Sequence, residues 1–92
     1  NAAMIHSLYP NPLLSSSITE LRVEFGGETN DRALLTLENI LGQEVARLHD
    51  GTVRANERMT VRFGTASLQP GVYLLRLRVA DDVATRRLVV LR

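Results

Sequence analysis

The segment Gly71–Arg92 has the most regular strand pattern in the chain, and it reads GVYLLRLRVADDVATRRLVVLR. Over Val72–Val79 the apolar positions alternate, as expected for a β-strand whose successive side chains point to opposite faces. Asp81 and Asp82 have typical turn chemistry and predict a reversal, after which Thr85–Leu91 predicts a second strand. The segment is therefore predicted to form a hairpin. The side chains of its first strand that are predicted to point inward are Tyr73, Leu75, Leu77 and Val79.

Shorter runs with the same period of two precede this hairpin, at Leu21–Phe25, Ala33–Leu37, Glu44–Leu48 and Arg58–Phe63. No segment keeps a helical apolar stripe for three turns. Strands that recur every roughly 8 to 12 residues are typical of antiparallel sandwiches. The sequence therefore predicts an all-β fold, an immunoglobulin-like antiparallel β-sandwich of about seven strands. A small barrel would use the same strands and stays open as an alternative.

Glycine, proline and aspartate mark the predicted boundaries of these strands. Gly26–Gly27 is expected to end one strand, and Asp50–Gly51 to form a turn after another. Pro70–Gly71 fits the two central positions of a type II turn. Just before it, Leu68 is expected to fill the end of the core.

Composition limits the classes of protein to which the chain can belong. With 92 residues, it is long enough for one domain. Its 45% hydrophobic content and short apolar runs exclude disordered and membrane-spanning classes. A net charge of +1 argues against nucleic acid as a partner. The chain has no cysteine, and all 11 of its Lys and Arg residues are Arg. Because it begins with Asn1, we expect it to be a piece of a longer protein.

No residue pattern indicates catalysis, a cofactor or a dedicated metal site. His6 and His49 lie in separate predicted loops, without a serine or carboxylate in a recognisable order around them. Both are expected to be solvated surface side chains. Asp81 and Asp82 lack the repeating acidic pattern of a calcium loop and are better explained as a turn. We therefore expect the chain not to be an enzyme.

Two kinds of binding surface deserve comparison with the residue pattern. Carbohydrate sites use exposed aromatic rings, but only Tyr9 is predicted to be exposed, since Phe25, Phe63 and Tyr73 are expected to point inward. Outward arginines could form a basic stripe, although cross-strand ion pairs with glutamates are the favoured explanation. The residues concerned are Arg22, Arg62, Arg76 and Arg78, with Glu20, Glu24 and Glu57.

Four motifs occur in a specific order and spacing, at Tyr9–Pro12, Asn39–Val45, Leu68–Tyr73 and Arg87–Arg92. Together they resemble the type A C-terminal sorting domain of the type IX secretion system, found at the ends of large exported proteins of Bacteroidetes and related bacteria. The resemblance extends from about Leu8 to Arg92. It implies one sorting domain over residues 9–92. Residues 1–8 are expected to contain the end of a linker, and a first strand could form there.

Most of the matching residues have a structural interpretation. Pro10, Asn11 and Pro12 are expected to form a stiff junction before the first long strand. Gly42 permits a tight reversal, after which Val45 is expected to return to the core.

The late motif Gly71, Val72 and Tyr73 also has a structural role in this interpretation. Gly71 is expected to allow a sharp turn. Tyr73 can fill the sandwich while its hydroxyl group reaches a partner at the edge.

The closing motif is the one to which the resemblance assigns recognition. In the family, a basic residue precedes a short apolar run and another lies near the terminus, and here Arg87 and Arg92 take those positions. A terminal strand at a sheet edge would offer unpaired backbone groups to a partner. The residues predicted to carry translocon recognition are Arg87, Leu88, Val89, Val90, Leu91 and Arg92.

The resemblance implies a secretion signal with named partners. The domain would be fused to an upstream cargo, such as a secreted hydrolase or adhesin, and read in the periplasm by the outer-membrane translocon. A surface sortase would then remove it, leaving the cargo at the outer-membrane surface or in the medium.

Two alternatives share the predicted fold. One is an immunoglobulin- or fibronectin-like spacer, which native sequence beyond Arg92 would favour. The other is a carbohydrate-binding module of a secreted hydrolase, which would be retained on insoluble polysaccharide.

Overall fold

Strands form all the regular structure in residues 2–14 and 20–92, the parts of the chain that the computed structural model describes. No helix in these ranges is long and apolar enough to cross a membrane. The strands are β1 (Ala3–Tyr9), β2 (Leu13–Leu14), β3 (Glu20–Gly27), β4 (Asp31–Glu38), β5 (Glu44–Val53), β6 (Met59–Gly64), β7 (Gly71–Val79) and β8 (Asp82–Leu91).

The strands form two sheets packed as a sandwich. A three-stranded sheet has the order β1-β3-β6, and a five-stranded sheet has the order β2-β8-β7-β4-β5. This confirms the predicted all-β sandwich, with eight strands against the expected seven or so. One pair departs from the antiparallel prediction, because the two-residue strand β2 runs parallel to β8.

The core lies between the sheets and is built from the alternating apolar positions. Leu21, Val23 and Phe25 of β3 are completely buried, as are Leu75 and Leu77 of β7. Each such side chain contributes about 1.5–3 kcal/mol through removal of its apolar surface from water. These inward positions agree with the period of two in the sequence.

Of two predicted strand boundaries, one is confirmed and one is wrong. β3 ends at Gly27, as the Gly26–Gly27 pair predicts, whereas backbone pairing continues through Asp50–Gly51. Gly26–Gly27 belongs to β3, where a Cβ on Gly27 would lie 2.6 Å from the carbonyl oxygen of Ala2. Glycine at this end of the strand also permits a close approach of backbone. Asp50–Gly51 lies inside β5, paired with β4, so tertiary pairing overrides its turn chemistry.

The predicted closing hairpin is confirmed, with a shifted turn. Val79 pairs with Asp82, so the reversal is made by Ala80 and Asp81 and not by the two aspartates. Ala80 has a φ of 53°, in the left-handed region that tight hairpin turns require at their first central position. As a result β8 starts at Asp82, three residues earlier than expected.

Strand β1 is tied to β8 by two charged side chains. A bulge after Ile5 lets Leu8 join Ala3 and Ile5 in the core. Because β1 is the outer strand of its sheet, its second edge has no strand partner among the described residues. The Ala3 amide donates to Asp82 Oδ2 over 2.8 Å, and Arg86 Nη2 donates to the Ile5 carbonyl over 2.7 Å. Two charged side chains of β8 thus satisfy backbone groups of β1.

Residues 1–8, where we expect room for a first strand, contain most of β1. Asn1, in the predicted linker end, lies outside the described residues.

Candidate recognition surface

The six residues predicted to carry recognition divide between two faces of β8. Leu88 and Val90 point into the core and are 0% and 2% exposed. Arg87 and Leu91 point outward, and Val89 on the same face is half-buried. Arg92 follows the strand and is exposed. The alternation of the strand therefore leaves four of these residues for contact with a partner and two for the core.

The outward residues of β8 continue onto its neighbours. Val72 of β7 lies directly opposite Val89, and Leu74 lies opposite Arg87. On the other side, Leu14 of β2 pairs with Leu91. Side chains opposite one another in a sheet share a face and are close enough to touch. We call this surface the terminal face, defined by Leu14, Val72, Leu74, Arg87, Val89, Leu91 and Arg92.

Positive charge borders the apolar centre of the terminal face. Neither Arg87 nor Arg92 forms an ion pair with any residue in the described ranges. Arg76, two rows further along β7, is instead paired with Glu38, whose Oε2 lies 3.4 Å from its Nε. The terminal face therefore combines apolar side chains with two guanidinium groups that are available to an acidic partner.

The edge of β8 is covered, contrary to the prediction that it is open for strand addition. Asn11 Nδ2 donates to the Arg87 carbonyl over 2.8 Å, and the Val89 amide donates to Asn11 Oδ1 over 3.1 Å. Further along, Leu13 and Leu14 pair with Val90 and Leu91. The side-chain amide of Asn11 thus takes the place of a strand residue. The edge of β8 is therefore occupied between Arg87 and Leu91, and the face of the sheet is the part of this segment that is open to a partner.

The motif Tyr9–Pro12 holds this amide in place. The Tyr9–Pro10 and Asn11–Pro12 peptide bonds are both cis. Tyr9, the exposed ring expected from the sequence, accepts a 2.6 Å hydrogen bond from Arg22 Nη1 at its hydroxyl group and lies 5.5 Å from that guanidinium. The motif thus also bonds β8 through the Asn11 side chain, a contact that goes beyond the expected stiff junction.

Replacing Asn11 with alanine is expected to destabilise the domain by about 1–3 kcal/mol, because two backbone groups of β8 lose their partner. Amide exchange at Val89 should become faster, whereas exchange in β3 should change little. Gln69→Ala is a suitable control, since that side chain is exposed and makes no hydrogen bond within the described ranges. Unchanged exchange at Val89 in the Asn11 variant would rule out the bridging role of this amide.

The reversal at Gly42 is confirmed, but Val45 does not return to the core. Gly42 has a φ of 80°, and its amide donates to the Asn39 carbonyl. Val45 is 45% exposed, because the register between β4 and β5 shifts at this point and leaves Val45 without a partner in β4. Ala46 packs against the core instead. A bulge, which a period of two does not reveal, turned Val45 outward.

The type II turn predicted at Pro70–Gly71 is also wrong. Gly71 is the first residue of β7 and has a φ of 153°, far from the 80° or so of that turn. The chain turns earlier, where the Leu68 amide donates to the Thr65 carbonyl. Leu68 is buried, as predicted. Tyr73 packs on the core and donates from its hydroxyl group to the Gln69 carbonyl over 2.7 Å, which matches its expected role.

The histidines and arginines elsewhere do not assemble a second site. His49 lies in β5 with its ring 5.3 Å from that of Phe25, so it is not the solvated side chain expected. Arg22 and Arg62 are on one sheet and Arg76 and Arg78 on the other, so they form no single stripe. Among the described residues, no three His, Asp or Glu side chains are grouped to hold a metal ion.

A protein-family model matches most of the chain. The model of the family described as the secretion system C-terminal sorting domain matches residues 7–91. The match starts within β1 and ends with the last residue of β8, so it includes the Asn11 bridge and all of the terminal face except Arg92. No curated protein matches the chain.

Proposed function

Because this chain belongs to the family of type IX secretion C-terminal sorting domains, we propose that it directs a larger folded cargo, fused upstream, through the outer-membrane translocon. Membership implies type IX machinery as the partner and the cell surface or the extracellular space as the destination. The finer steps are part of the proposal. In the first of these steps the translocon recognises the domain in the periplasm, and in the second a surface sortase removes the domain after export.

The observation that best supports this proposal is the terminal face. Its apolar side chains are held by a folded sheet, and the two arginines beside them have no ion-pair partner in the described ranges. Apolar centres with neighbouring arginines are typical of surfaces that bind proteins. Since cargo is exported after folding, its address has to be a surface of this kind. The domain acts in this proposal by binding, without catalysis of its own.

The alternative functions receive less support. Tyr9, at 43%, is the most exposed aromatic side chain in the described ranges, and it is already engaged by Arg22. A sugar-stacking surface would need further rings. We therefore expect no retention of the domain on insoluble polysaccharide.

Export of a reporter tests the proposal directly. Residues 1–92 are fused behind a signal peptide and a fluorescent protein and expressed in a bacterium that has type IX secretion. The reporter should reach the cell surface or the medium in these cells and remain in the periplasm of a translocon mutant. Equal export in both strains, or in neither, would refute the proposed function.

A further inference from the structure

The most exposed large apolar side chains in the described ranges are adjacent in sequence. Ile40 and Leu41 are 79% and 78% exposed. They lie at the reversal between β4 and β5 and project beyond the end of the sheet. We call this pair the apolar tip. Single exposed apolar residues are common on protein surfaces, but an adjacent pair at the end of a hairpin suggests contact with a partner.

The turn that carries the apolar tip is fixed by Asn39. The Asn39 amide donates to the Gln43 carbonyl, and the Gly42 amide donates to the Asn39 carbonyl. Asn39 Oδ1 accepts from the amides of Leu41 and Gln43 over 2.9 and 3.0 Å, and Asn39 Nδ2 donates to Gln43 Oε1 over 2.9 Å. The apolar tip is therefore presented in one conformation, which lowers the entropy lost on binding.

The apolar tip and the terminal face lie at the same end of the five-stranded sheet. Glu38, the last residue of β4, pairs with Leu74, which pairs in turn with Arg87. Beyond this row, β7 starts at Gly71 and β8 ends at Leu91. Neighbouring strands are about 4.8 Å apart, so β8 lies roughly 10 Å from β4. One partner can reach both surfaces.

We propose that the apolar tip is a second contact for the protein that binds the terminal face, and that it enters an apolar pocket of that protein. This inference rests on the proposed function. Charges beside the tip are neutralised within the domain, since Glu38 pairs with Arg76 and Glu44 pairs with Arg47. The turn thus has no free basic cluster to attract anionic lipid. Because the apolar tip has one conformation and no net charge beside it, it suits a preformed apolar pocket of a protein.

The test combines Ile40→Ser with Leu41→Ser in the reporter fusion. Because both side chains are exposed and outside the core, the melting temperature of the domain should not change. Export should fall by about tenfold or more, as expected when a buried anchor of an interface is removed. Val83→Ser is the matched control, since Val83 is an exposed apolar residue at the opposite end of β8. It should leave export unchanged.

The outcomes separate this inference from the proposed function. Failure of the unchanged fusion to be exported would overturn both. Normal export of the unchanged fusion and of the double variant would overturn the inference alone. Leu41→Gln by itself provides a second variant with a milder change, and it should also reduce export.

Two other binding partners of the apolar tip, a lipid membrane and a second copy of the domain, are tested with the purified domain. Binding to vesicles of phosphatidylethanolamine and phosphatidylglycerol that is lost in the double variant would identify a membrane contact and overturn the protein pocket. A dimer in sedimentation velocity that the double variant abolishes would identify a second copy and overturn it as well. A domain that does not bind the vesicles and sediments as a monomer would support contact with an apolar pocket of a partner protein.

Discussion

Reversing both charges of the terminal face, Arg87→Glu with Arg92→Glu, is expected to retain the reporter fusion in the periplasm while the domain stays folded. Both side chains are exposed and outside the ion pairs of the described ranges, so their replacement removes no packing. The bridge to Asn11 uses the backbone of Arg87 and is preserved. Like charges brought together at an interface cost several kcal/mol, so export should fall by about a hundredfold.

The control for this variant makes the same change in net charge outside the terminal face. Arg54→Glu with Arg78→Glu also alters two exposed arginines that lack ion pairs in the described ranges, away from the terminal face. It should leave export unchanged. Comparable losses in the two double variants would show that net charge matters and not the terminal face. Normal export of the Arg87 and Arg92 variant would show that this face does not carry the address.

Leu88→Ala is expected to have the largest effect on stability among changes in the closing motif. Leu88 is completely buried in the sandwich, and truncation of such a leucine costs about 2–5 kcal/mol through lost burial and the cavity left behind. That is a large part of the roughly 5–15 kcal/mol by which a domain is usually stable. Urea unfolding followed by circular dichroism measures the difference.

Leu91→Ala is the matched control for Leu88→Ala, with the same substitution three residues later. Leu91 is 44% exposed on the terminal face, so its truncation should cost less than about 1 kcal/mol. It should still weaken export. Equal losses of stability at the two positions would contradict the assignment of Leu88 to the core and Leu91 to the surface.

These point substitutions separate two effects that a truncation combines. Deletion of residues 88–92 would remove two core side chains, Leu88 and Val90, together with the exposed Leu91 and Arg92. Loss of export would then follow from unfolding or from loss of the address. Only substitutions confined to one face of β8 distinguish these causes.

Much of the fold follows from the period of two in the sequence. It correctly placed Leu75 and Leu77 in the core, because an uninterrupted strand with one buried face has to alternate. The same rule failed at Val45, where a bulge changes which residues face inward. It also failed to separate turn from strand at Asp50–Gly51, where pairing with β4 decides the conformation. Bulges and pairing depend on partners distant in sequence.

The recognition surface was predictable in part. The order of the motifs led to the family and to Arg87–Arg92, but not to the division of that segment between core and surface. The role of Asn11 was not predictable, because its partners Arg87 and Val89 are 76 and 78 residues away. The bonds of Asp82 and Arg86 to β1 were not predictable for the same reason, since their partners are 79 and 81 residues away.

Two hydrogen bonds join β8 to β1, so folding of this domain requires distant parts of its sequence to come together. Asp82 and Arg86 bind residues 79 and 81 positions earlier. Chains dominated by such distant pairings have high contact order and fold slowly. Until β8 has paired, Arg87 and Leu91 do not share a surface with Val72. Under the proposed function, a receptor that needs all three residues would bind folded domains and not unfolded ones, so recognition would also check that folding is complete.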